Sequence, residues 1–393
     1  MVNVLKNKIL QLFVLIDKFI YSFFKAITKV DNKLIIFEGQ MGRFDESSWV
    51  LYHYLRKKRK YRFIWMVKNP KQFETASDTK FISRYHYTLN IVADFYYAKA
   101  GYSFYTHTTS SIRYRRQGQK KVFVGHGYAI KGGKANGRTG YNNFDFAMAI
   151  GKEAIATQAL FVGCEESYFL PLGLPRNDLL VRHKGVGIDN PFVKSKNFKK
   201  VIIWMPTFRE TKSPILSELS CATDTGLPLF DTEDKVNQLN RILNANHIGV
   251  ILKLHRLQLE KEVFKQKFSN IIIITDDDIE QGNRQLYEII GYSDALLTDY
   301  SSISVDYLLL DKPIGYILSD INYYMIDRGF TSENPLDLMV GQHIYTIDDF
   351  KMFISDILLG KDNFQTRRTL LKQRLHAAPN GDSCKLIEDY FNL

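Results

Sequence analysis

The chain has 393 residues, of which 45% are hydrophobic, so it can bury sizeable cores and is not intrinsically disordered; its length predicts two domains. The net charge of +11 favours a polyanionic partner, but zinc-finger spacing, RNA-binding aromatic motifs and a basic tail are all absent, so we predict no nucleic-acid partner. Cys164, Cys221 and Cys384 are sparse and odd in number, which argues against a disulfide framework and indicates a reducing compartment.

Residues 1–30 predict an amphipathic helix. Asp17 and Lys18 interrupt the apolar run too early for a membrane-spanning helix, and no small-residue cleavage site of a secretory signal follows it. We expect this helix to lie in the membrane interface; the alternative is that it packs on the protein's own body. The apolar residues of its predicted face are at positions 9, 12, 13, 16, 19, 20, 23, 24 and 27, and the lysines that could reach lipid headgroups are Lys6, Lys18, Lys25 and Lys29.

The next part of the chain alternates short apolar runs with helical patterns. This alternation is typical of βαβ units, which form a mostly parallel sheet with helices on both faces. A polar, basic stretch at 182–200 interrupts the alternation and predicts a linker, so we expect an N-terminal domain over 31–190. Its predicted elements are strands at 33–38, 61–67, 121–124 and 144–150 and helices at 47–57, 89–100 and 152–161.

The same alternation restarts after the linker and predicts a second domain over 191–393, including helices in the C-terminal tail. Two such α/β halves in series predict two doubly wound, Rossmann-like domains that face a cleft. Ligands of these sheets bind at the carboxyl ends of the strands, where the polar motifs of this chain also lie. The predicted elements are strands at 201–205, 248–254, 271–275, 295–298 and 313–318 and helices at 235–244 and 350–358.

The most informative motif is the run Thr-Asp-Tyr-Ser-Ser at 298–302, which ends an apolar strand and precedes a helical pattern. Free backbone N–H groups and small hydroxyls at a helix N-terminus favour a phosphate or pyrophosphate. We therefore expect Asp299, Ser301 and Ser302 to contribute to substrate binding. The alternative is an ordinary helix cap, since Ser and Asp are common capping residues.

Gly125-His126-Gly127 ends a strand of the first half. The flanking glycines leave the imidazole accessible, and a histidine of near-neutral pKa is suited to take a proton from a hydroxyl group. Lys131 follows in a glycine-rich loop that suits an anionic group. The alternative is a plain turn that carries a surface histidine.

Gly-Leu-Pro-Arg-Asn-Asp at 173–178 is a tight turn before a helix. Arg176 could direct its guanidinium at a phosphate or carboxylate, and Asn177 could bind substrate beside it. A capped turn with an exposed arginine is an equally good interpretation.

Two strands of the second half also end in polar residues. Thr207 and Arg209 follow the strand that Pro206 stops, and Lys253 and His255 end the next strand. Like charges clustered at one edge are stabilised when an anion neutralises them, so we predict a phosphate-binding role. The three acids at 276–278 are more typical of a solvated turn than of a metal site, and no P-loop or dinucleotide-binding motif occurs, so neither metal nor cofactor is predicted.

Taken together and in this order, five motifs resemble the CDP-glycerol glycerophosphotransferase family of teichoic acid synthesis, over roughly residues 100 to 345. They are His-Gly with Lys131, Gly-Leu-Pro-Arg-Asn-Asp, Pro-Thr-Phe-Arg, Leu-Lys-Leu-His and Ser-Asp-Ala-Leu-Leu-Thr-Asp-Tyr-Ser-Ser. The resemblance implies a GT-B type fold and a peripheral enzyme at the cytoplasmic face of the membrane. By motif match, His126 resembles the proposed base and His255 a donor-phosphate ligand, while Ser301 and Ser302 resemble the pyrophosphate cradle.

The function implied by this resemblance is transfer of a polyol phosphate, foremost glycerol phosphate, from a CDP-activated donor to a hydroxyl of a lipid-linked acceptor. The product is expected to be teichoic acid or a related capsular or cell-surface polymer. Two alternatives stay open at this stage. One is a GT-B glycosyltransferase that uses a nucleotide sugar, and the other is a non-catalytic, membrane-bound protein that binds glycopolymer.

Overall fold

A computed structural model describes most of the chain. The described residues are 2–44, 46–74, 76–84, 89–107, 116–125, 127–132, 143–207, 223–254, 256–327 and 329–393. Contacts divide the chain into two compact units. The first unit comprises Met1–Gly127, Ala135–Asp178 and His376–Leu393, and the second comprises Tyr128–Lys134 and Leu179–Leu375.

Strands and helices alternate along both units. The strands are β1 (Asp31–Glu38), β2 (Arg62–Val67), β3 (Thr79–Ser83), β4 (Ala100–Tyr105), β5 (Lys120–Phe123), β6 (Phe146–Met148), β7 (Phe169–Leu170), β8 (Lys200–Trp204), β9 (Ile248–Lys253), β10 (Ile271–Ile274), β11 (Ala295–Thr298), β12 (Ile314–Ile317) and β13 (Gln342–Ile344). The α-helices are α1 (Val2–Ile27), α2 (Glu46–Arg56), α3 (Ile91–Lys99), α4 (Ile155–Val162), α5 (Pro175–Arg182), α6 (Glu233–Ala245), α7 (Asp276–Gln281), α8 (Leu286–Gly291), α9 (Ile303–Tyr307), α10 (Ile321–Asp327), α11 (Ile347–Leu359), α12 (Gln365–Leu375) and α13 (Ser383–Phe391).

The first unit contains a parallel sheet in the order β3-β2-β1-β4-β5-β6-β7. The chain therefore adds β2 and β3 on one side of β1 and β4 onwards on the other. This reversal is the signature of a doubly wound sheet, and it places the switch point between the carboxyl ends of β1 and β4. The last five residues of β1 and all six of β4 are buried, as a parallel sheet covered on both faces requires.

The second unit repeats this topology in the order β10-β9-β8-β11-β12-β13, again with every neighbouring pair parallel. Its switch point lies between the carboxyl ends of β8 and β11. Side chains of β8, β9 and β11 form the core together with the apolar faces of α6 and α11. The prediction of two α/β halves with parallel sheets is confirmed.

Helix α1 packs on the first unit through one face. Tyr21 and Phe24 contact the apolar cluster around β1, and the Phe24 ring meets Phe95 of α3 edge-to-face at 5.4 Å. Asp17 is buried and accepts two hydrogen bonds from Arg84, at 2.7 and 2.9 Å. This face of α1 therefore packs on the protein's own body, which is the alternative raised from the sequence. None of the described helices is long and apolar enough to cross a bilayer.

The C-terminal segment belongs to the first unit, whereas the sequence predicts it in the second domain. The Asp178 carboxylate accepts the backbone N–H groups of Ser383 and Cys384, both at 2.8 Å, and so caps α13. Burial raises the pKa of Asp178 above its ordinary value, and these two donors oppose the shift. The Phe391 ring then packs edge-to-face on Phe146 at 5.2 Å. An amphipathic pattern predicts such a helix but does not say which sheet it covers.

Candidate functional site

The switch point of the second sheet brings two predicted motifs together. Met205 continues from β8 and donates its N–H to Leu297 of β11 at 3.0 Å, while the Thr298 hydroxyl donates to the Met205 carbonyl at 3.0 Å. These bonds extend the pairing of the two strands past their regular ends. Thr207 and Asp299 consequently lie side by side at the edge where ligands of doubly wound sheets bind.

The Asp299 side chain is fully buried and organises this edge. It accepts the Thr207 hydroxyl at 2.6 Å and the Thr207 N–H at 3.0 and 2.9 Å. It also accepts the N–H of Tyr300 at 2.6 Å. These hydrogen bonds join the Asp299 side chain to the backbone on both sides of the switch point, so they fix both loops in one conformation.

Ser301 and Ser302 are half-buried and precede α9. The Ser301 carbonyl accepts the Ser304 N–H at 3.2 Å and the Ser304 hydroxyl at 3.0 Å. Ser302 occupies the capping position but, within the described part of the chain, its hydroxyl makes no capping hydrogen bond. The plain helix-cap interpretation therefore does not account for the Ser302 hydroxyl.

Lys253 ends β9, next to β8 in the sheet, and its ammonium group pairs with the Asp276 carboxylate at 2.8 Å. The lysine side chain is mostly buried, whereas the aspartate is half exposed. The acids at 276–278 form the first turn of α7 rather than a loop, and Thr275 and Asp278 make reciprocal capping bonds there. Negative charge at a helix N-terminus is favourable, which explains this acidic run.

Lys131 lies in the second unit although it follows a strand of the first sheet in the sequence. Its backbone forms an antiparallel bridge with Phe330. The Phe330 ring in turn contacts Tyr300 edge-to-face, with 5.4 Å between centroids. The structure therefore places Lys131 in the same neighbourhood as the 298–302 motif.

Arg176 and Asn177 lie in the first unit, at the start of α5, and both are buried. The Arg176 guanidinium pairs with the Glu46 carboxylate at 3.2 Å, and the backbone N–H of Arg176 donates to the Ser47 hydroxyl at 3.4 Å. Arg176 therefore links α5 to α2. Its buried position differs from the exposed arginine that the capped-turn alternative predicts. Arg176 and Asn177 belong to the first unit, whereas the 298–302 motif belongs to the second.

The backbone on each side of His126 is held in the first unit. A Cβ on Gly125 would lie 2.1 Å from the Thr106 carbonyl oxygen, so only glycine fits there. After the histidine, the buried Gln158 of α4 donates to the Gly127 carbonyl at 3.4 Å and accepts the Ile150 N–H at 3.1 Å. His126, Arg209 and His255 themselves lie outside the described residues.

Sequence reasoning missed several polar residues at these edges. Glu38 is buried at the carboxyl end of β1, where its carbonyl accepts the Thr106 N–H at 3.3 Å. An acid that ends a buried apolar strand was a usable signal for Glu38. Gln158 and Thr331 carried no such signal, because each lies far in sequence from the segment it contacts.

Two parallel sheets with Rossmann strand order, and a polar site at the switch point of the second, define a GT-B-like fold. A solved structure of the wall teichoic acid polymerase TagF matches with a TM-score of 0.74 at 20% identity, covering 100% of this chain and 96% of that chain. At this identity the likeness shows the fold. The family described as CDP-glycerol:poly(glycerophosphate) glycerophosphotransferase matches residues 20–390, and the chain belongs to that family.

Curated relatives agree with this assignment. A teichoic acid poly(glycerol phosphate) polymerase from Staphylococcus epidermidis is 24% identical over 342 residues, covering 78% of this chain and 43% of the relative. A teichoic acid glycerol-phosphate transferase from Staphylococcus aureus is 24% identical over 367 residues, covering 85% of this chain and 86% of the relative. The chain thus spans less than half the length of the first relative and most of the second.

Proposed function

We propose that this protein transfers glycerol phosphate from CDP-glycerol to a hydroxyl of a lipid-linked acceptor in teichoic acid synthesis. The observation that carries the proposal is the Thr207–Asp299 arrangement at the switch point, in a chain that belongs to the glycerophosphotransferase family. Its relatives are named for glycerol-phosphate or ribitol-phosphate transfer, which supports a CDP-polyol as the donor.

In the proposed reaction, the acceptor oxygen forms a new bond to the β-phosphorus of CDP-glycerol, and the bond from that phosphorus to CMP breaks. His126 takes the proton of the acceptor hydroxyl, and CMP leaves with the electron pair of the broken bond. Phosphoryl transfer gains mainly from positioning and from charge stabilisation, so cationic side chains and backbone N–H groups suffice without a covalent intermediate. The predicted phosphate ligands are Lys131, Arg209, Lys253, His255, Ser301 and Ser302. Thr207 was also predicted to bind phosphate, but its N–H and hydroxyl both donate to Asp299, so we assign it a supporting part.

Asp299 is assigned a supporting part in this site. Its carboxylate receives the N–H and hydroxyl of Thr207 and is fully buried. It therefore holds the loop that leads to Arg209 rather than meeting an anionic donor directly. Arg176 and Asn177 were predicted to bind substrate, and we assign them to the acceptor side because both lie in the first unit.

We also propose that α1 holds the protein at the cytoplasmic face of the membrane as a peripheral protein. The face of α1 opposite Asp17 and Tyr21 is apolar and exposed; Phe19 is 76% and Leu15 64% accessible. Exposed apolar residues recur at Leu12, Ile16, Phe19, Phe23 and Ile27, a spacing that forms one stripe on a helix. The exposed Lys18, Lys25 and Lys29 suit anionic lipid headgroups.

The first experiment tests the reaction. The purified protein is incubated with a short lipid-linked acceptor analogue and, separately, CDP-glycerol, CDP-ribitol and a panel of nucleotide sugars, while nucleotide release is followed. CMP release from CDP-glycerol is the expected result. CMP release from CDP-ribitol alone would mean that the transferred group is ribitol phosphate. UDP release from a sugar donor would overturn phosphotransfer in favour of a glycosyltransferase.

Two histidines on either side of β9 in the sequence supply a matched comparison. His255 follows the carboxyl end of β9, whereas His247 precedes its amino end and has a φ of 53°. Asparagine tolerates this left-handed conformation, so His247→Asn is a suitable control. We expect His255→Asn and His126→Asn to lower turnover at least a hundredfold and His247→Asn to leave it within twofold.

The membrane proposal is tested with vesicles of phosphatidylcholine alone or mixed with phosphatidylglycerol. The wild-type protein is expected to sediment with the anionic vesicles and to dissociate as salt rises. Phe19→Ser together with Phe23→Ser should reduce this binding at least fivefold. Leu359→Ser, which changes a residue 63% exposed on α11, is the control. Equal binding by all three proteins would contradict the proposal.

A further inference from the structure

The segment 128–132, which follows His126 and Gly127, is fastened to residues 329–331 of the second unit. The Thr331 hydroxyl donates to the Ala129 carbonyl at 2.6 Å, and the Thr331 N–H donates to the Ile130 carbonyl at 3.0 Å. The Gly132 N–H donates to the Gly329 carbonyl at 2.9 Å. These bonds lie on both sides of Lys131 and therefore fix the position of its backbone.

The contact is close-packed as well as hydrogen-bonded. A Cβ on Gly132 would lie 3.0 Å from three backbone atoms of Gly329 and Phe330, so the two backbones touch directly. Ala129 and Ile130 are buried against the unit, with Ile130 1% exposed. A segment held in this way has little freedom to shift Lys131 along the edge of the sheet.

The partner residues of this segment also contact the 298–302 motif. The ring of Tyr300 lies 5.4 Å from that of Phe330 and 4.2 Å from that of Tyr324. The Tyr300 hydroxyl donates to Asp320 at 2.7 Å, and its backbone N–H donates to Asp299. A continuous set of packed groups therefore joins the segment of Lys131 to the loop of Ser301 and Ser302.

We propose that Thr331 is a positioning residue for the donor: by fixing the 128–132 segment, it holds Lys131 beside the 298–302 motif for the diphosphate of a nucleoside diphosphate substrate. This inference rests on the proposed function. Thr331 itself does not contact the donor in this account. Its effect passes through the Ala129 carbonyl and the backbone to Lys131.

The test compares Thr331→Val, which removes the hydroxyl and keeps the shape, with Thr331→Ser, which keeps the hydroxyl. Loss of the half-buried hydrogen bond from the Thr331 hydroxyl and the resulting mobility of Lys131 should raise the KM for CDP-glycerol about five- to tenfold in Thr331→Val. Thr331→Ser should recover most of the affinity. Hydrogen exchange at the Gly132 amide should accelerate in the valine variant and not in the serine variant.

Ser293→Ala is the control for loss of a hydrogen-bonded hydroxyl elsewhere in the second unit. Ser293 lies before the amino end of β11, opposite the motif, and its hydroxyl donates to the Ile290 carbonyl at 2.7 Å and meets the Tyr307 hydroxyl at 2.8 Å. This variant should lower Tm at least as much as Thr331→Val. Its KM for CDP-glycerol should stay within twofold of the wild-type value.

A double-mutant cycle decides whether Thr331 acts through Lys131. If it does, Thr331→Val should add less than a twofold increase in KM when Lys131→Ala is already present. Independent, multiplicative effects of the two substitutions would overturn the inference while CMP release by the wild type upholds the proposed function. If the wild type releases no CMP from any CDP-polyol, the proposed function fails, and this inference fails with it.

Discussion

Asp299 receives both the backbone N–H and the hydroxyl of Thr207, although the two residues are 92 positions apart in the sequence. The bond between the Thr207 hydroxyl and the Asp299 carboxylate is short, at 2.6 Å, and the carboxylate is fully buried. Charge-assisted hydrogen bonds in such surroundings are about twice as strong as neutral ones. The pair therefore joins the loops after β8 and β11 and sets the geometry of the candidate phosphate site.

The first prediction concerns this pair. Asp299→Asn would direct an amide group at donors that now face a carboxylate, so we expect the free energy of unfolding to fall by about 2–3 kcal/mol. Turnover should fall by more than the loss of folded protein accounts for, because Thr207 and Tyr300 lose their common hydrogen-bond acceptor. Urea unfolding and CMP release measure the two effects. Thr207→Ser, which keeps both donors, is the control, and an unchanged unfolding midpoint in Asp299→Asn would contradict the prediction.

The second prediction concerns the ion cluster below α1. Arg84 contacts Asp17 at 2.7 Å and Asp94 at 3.2 Å, and all three side chains are at most 2% exposed. Removing the cation alone leaves two buried carboxylates without a compensating charge, so Arg84→Met should lower the free energy of unfolding by about 3–5 kcal/mol. Helix α1 should detach more easily and become sensitive to trypsin at Lys18 and Lys25.

A triple variant separates the cost of stranded charge from the loss of packing. Arg84→Met with Asp17→Leu and Asp94→Leu removes every charge of the cluster and keeps apolar volume. Replacing a whole buried ion cluster by apolar side chains is often close to neutral, so this variant should recover most of the lost stability. If the triple variant is no more stable than Arg84→Met, the uncompensated charge of the two carboxylates is not the cause of the lost stability.

The third prediction concerns pH. Burial, together with the positive charges of the nearby Arg56 and Lys57, lowers the pKa of His53 from 6.5 to about 4. The ring packs on Trp49, with 4.0 Å between centroids. Between pH 6.5 and 4 the unfolded chain therefore binds a proton that the folded chain does not, so stability falls as the pH decreases through this window.

Because His53 is partly exposed, we expect this contribution to be about 1–2 kcal/mol rather than the full value of the pKa shift. Urea unfolding at pH 7 and pH 5 measures it. His53→Phe, which keeps an aromatic ring beside Trp49, should lose less stability over this range than the wild type. An equal pH dependence in both proteins would assign the acid sensitivity to other groups.

The fourth prediction concerns Gln158, which donates to the carbonyl that follows His126. Gln158→Glu keeps an acceptor for the Ile150 N–H but sets a carboxylate oxygen against the Gly127 carbonyl. We expect kcat to fall about tenfold, with little change in the KM for CDP-glycerol, because a misplaced base impairs proton transfer and not donor binding. Steady-state kinetics separate these parameters.

Gln119 provides the control for this substitution. It lies at the amino end of β5, and its side chain donates to the carbonyls of Tyr97 at 2.6 Å and Ala100 at 2.7 Å. Gln119→Glu should destabilise the first unit to a similar extent and leave kcat within twofold. A tenfold fall in kcat for both variants would mean that Gln158 matters for stability alone.

Much of the fold was predictable because its causes are local. The apolar runs that predict β1, β2, β8, β9 and β11 are long enough to identify buried strands, and the helices between them predict parallel pairing. The missed strands are of two kinds. Thr79–Ser83, Phe169–Leu170 and Gln342–Ile344 are edge strands that are short or carry polar residues, and Ala100–Tyr105 is a central strand rich in small and hydroxyl-bearing residues.

The domain boundary was harder to predict. The basic stretch at 182–200 has the composition of a linker, yet it lies inside the second unit, where Asn190 donates to the carbonyls of Ile289 and Tyr292 at 2.9 and 2.8 Å. Contacts divide the chain near Asp178 instead. Composition reports solvent exposure on average, whereas a boundary depends on which distant residues a segment contacts.

The sequence by itself determined the class of fold and the motifs that carry the family resemblance. Alternating apolar periods define βαβ units, and the polar residues that end a strand in sequence necessarily lie at its carboxyl end in space. Only the tertiary structure decided which strand ends meet, that Thr331 holds the segment of Lys131, and that α13 covers the first sheet. These outcomes depend on hydrogen bonds and packing between residues far apart in the chain, which no local pattern encodes.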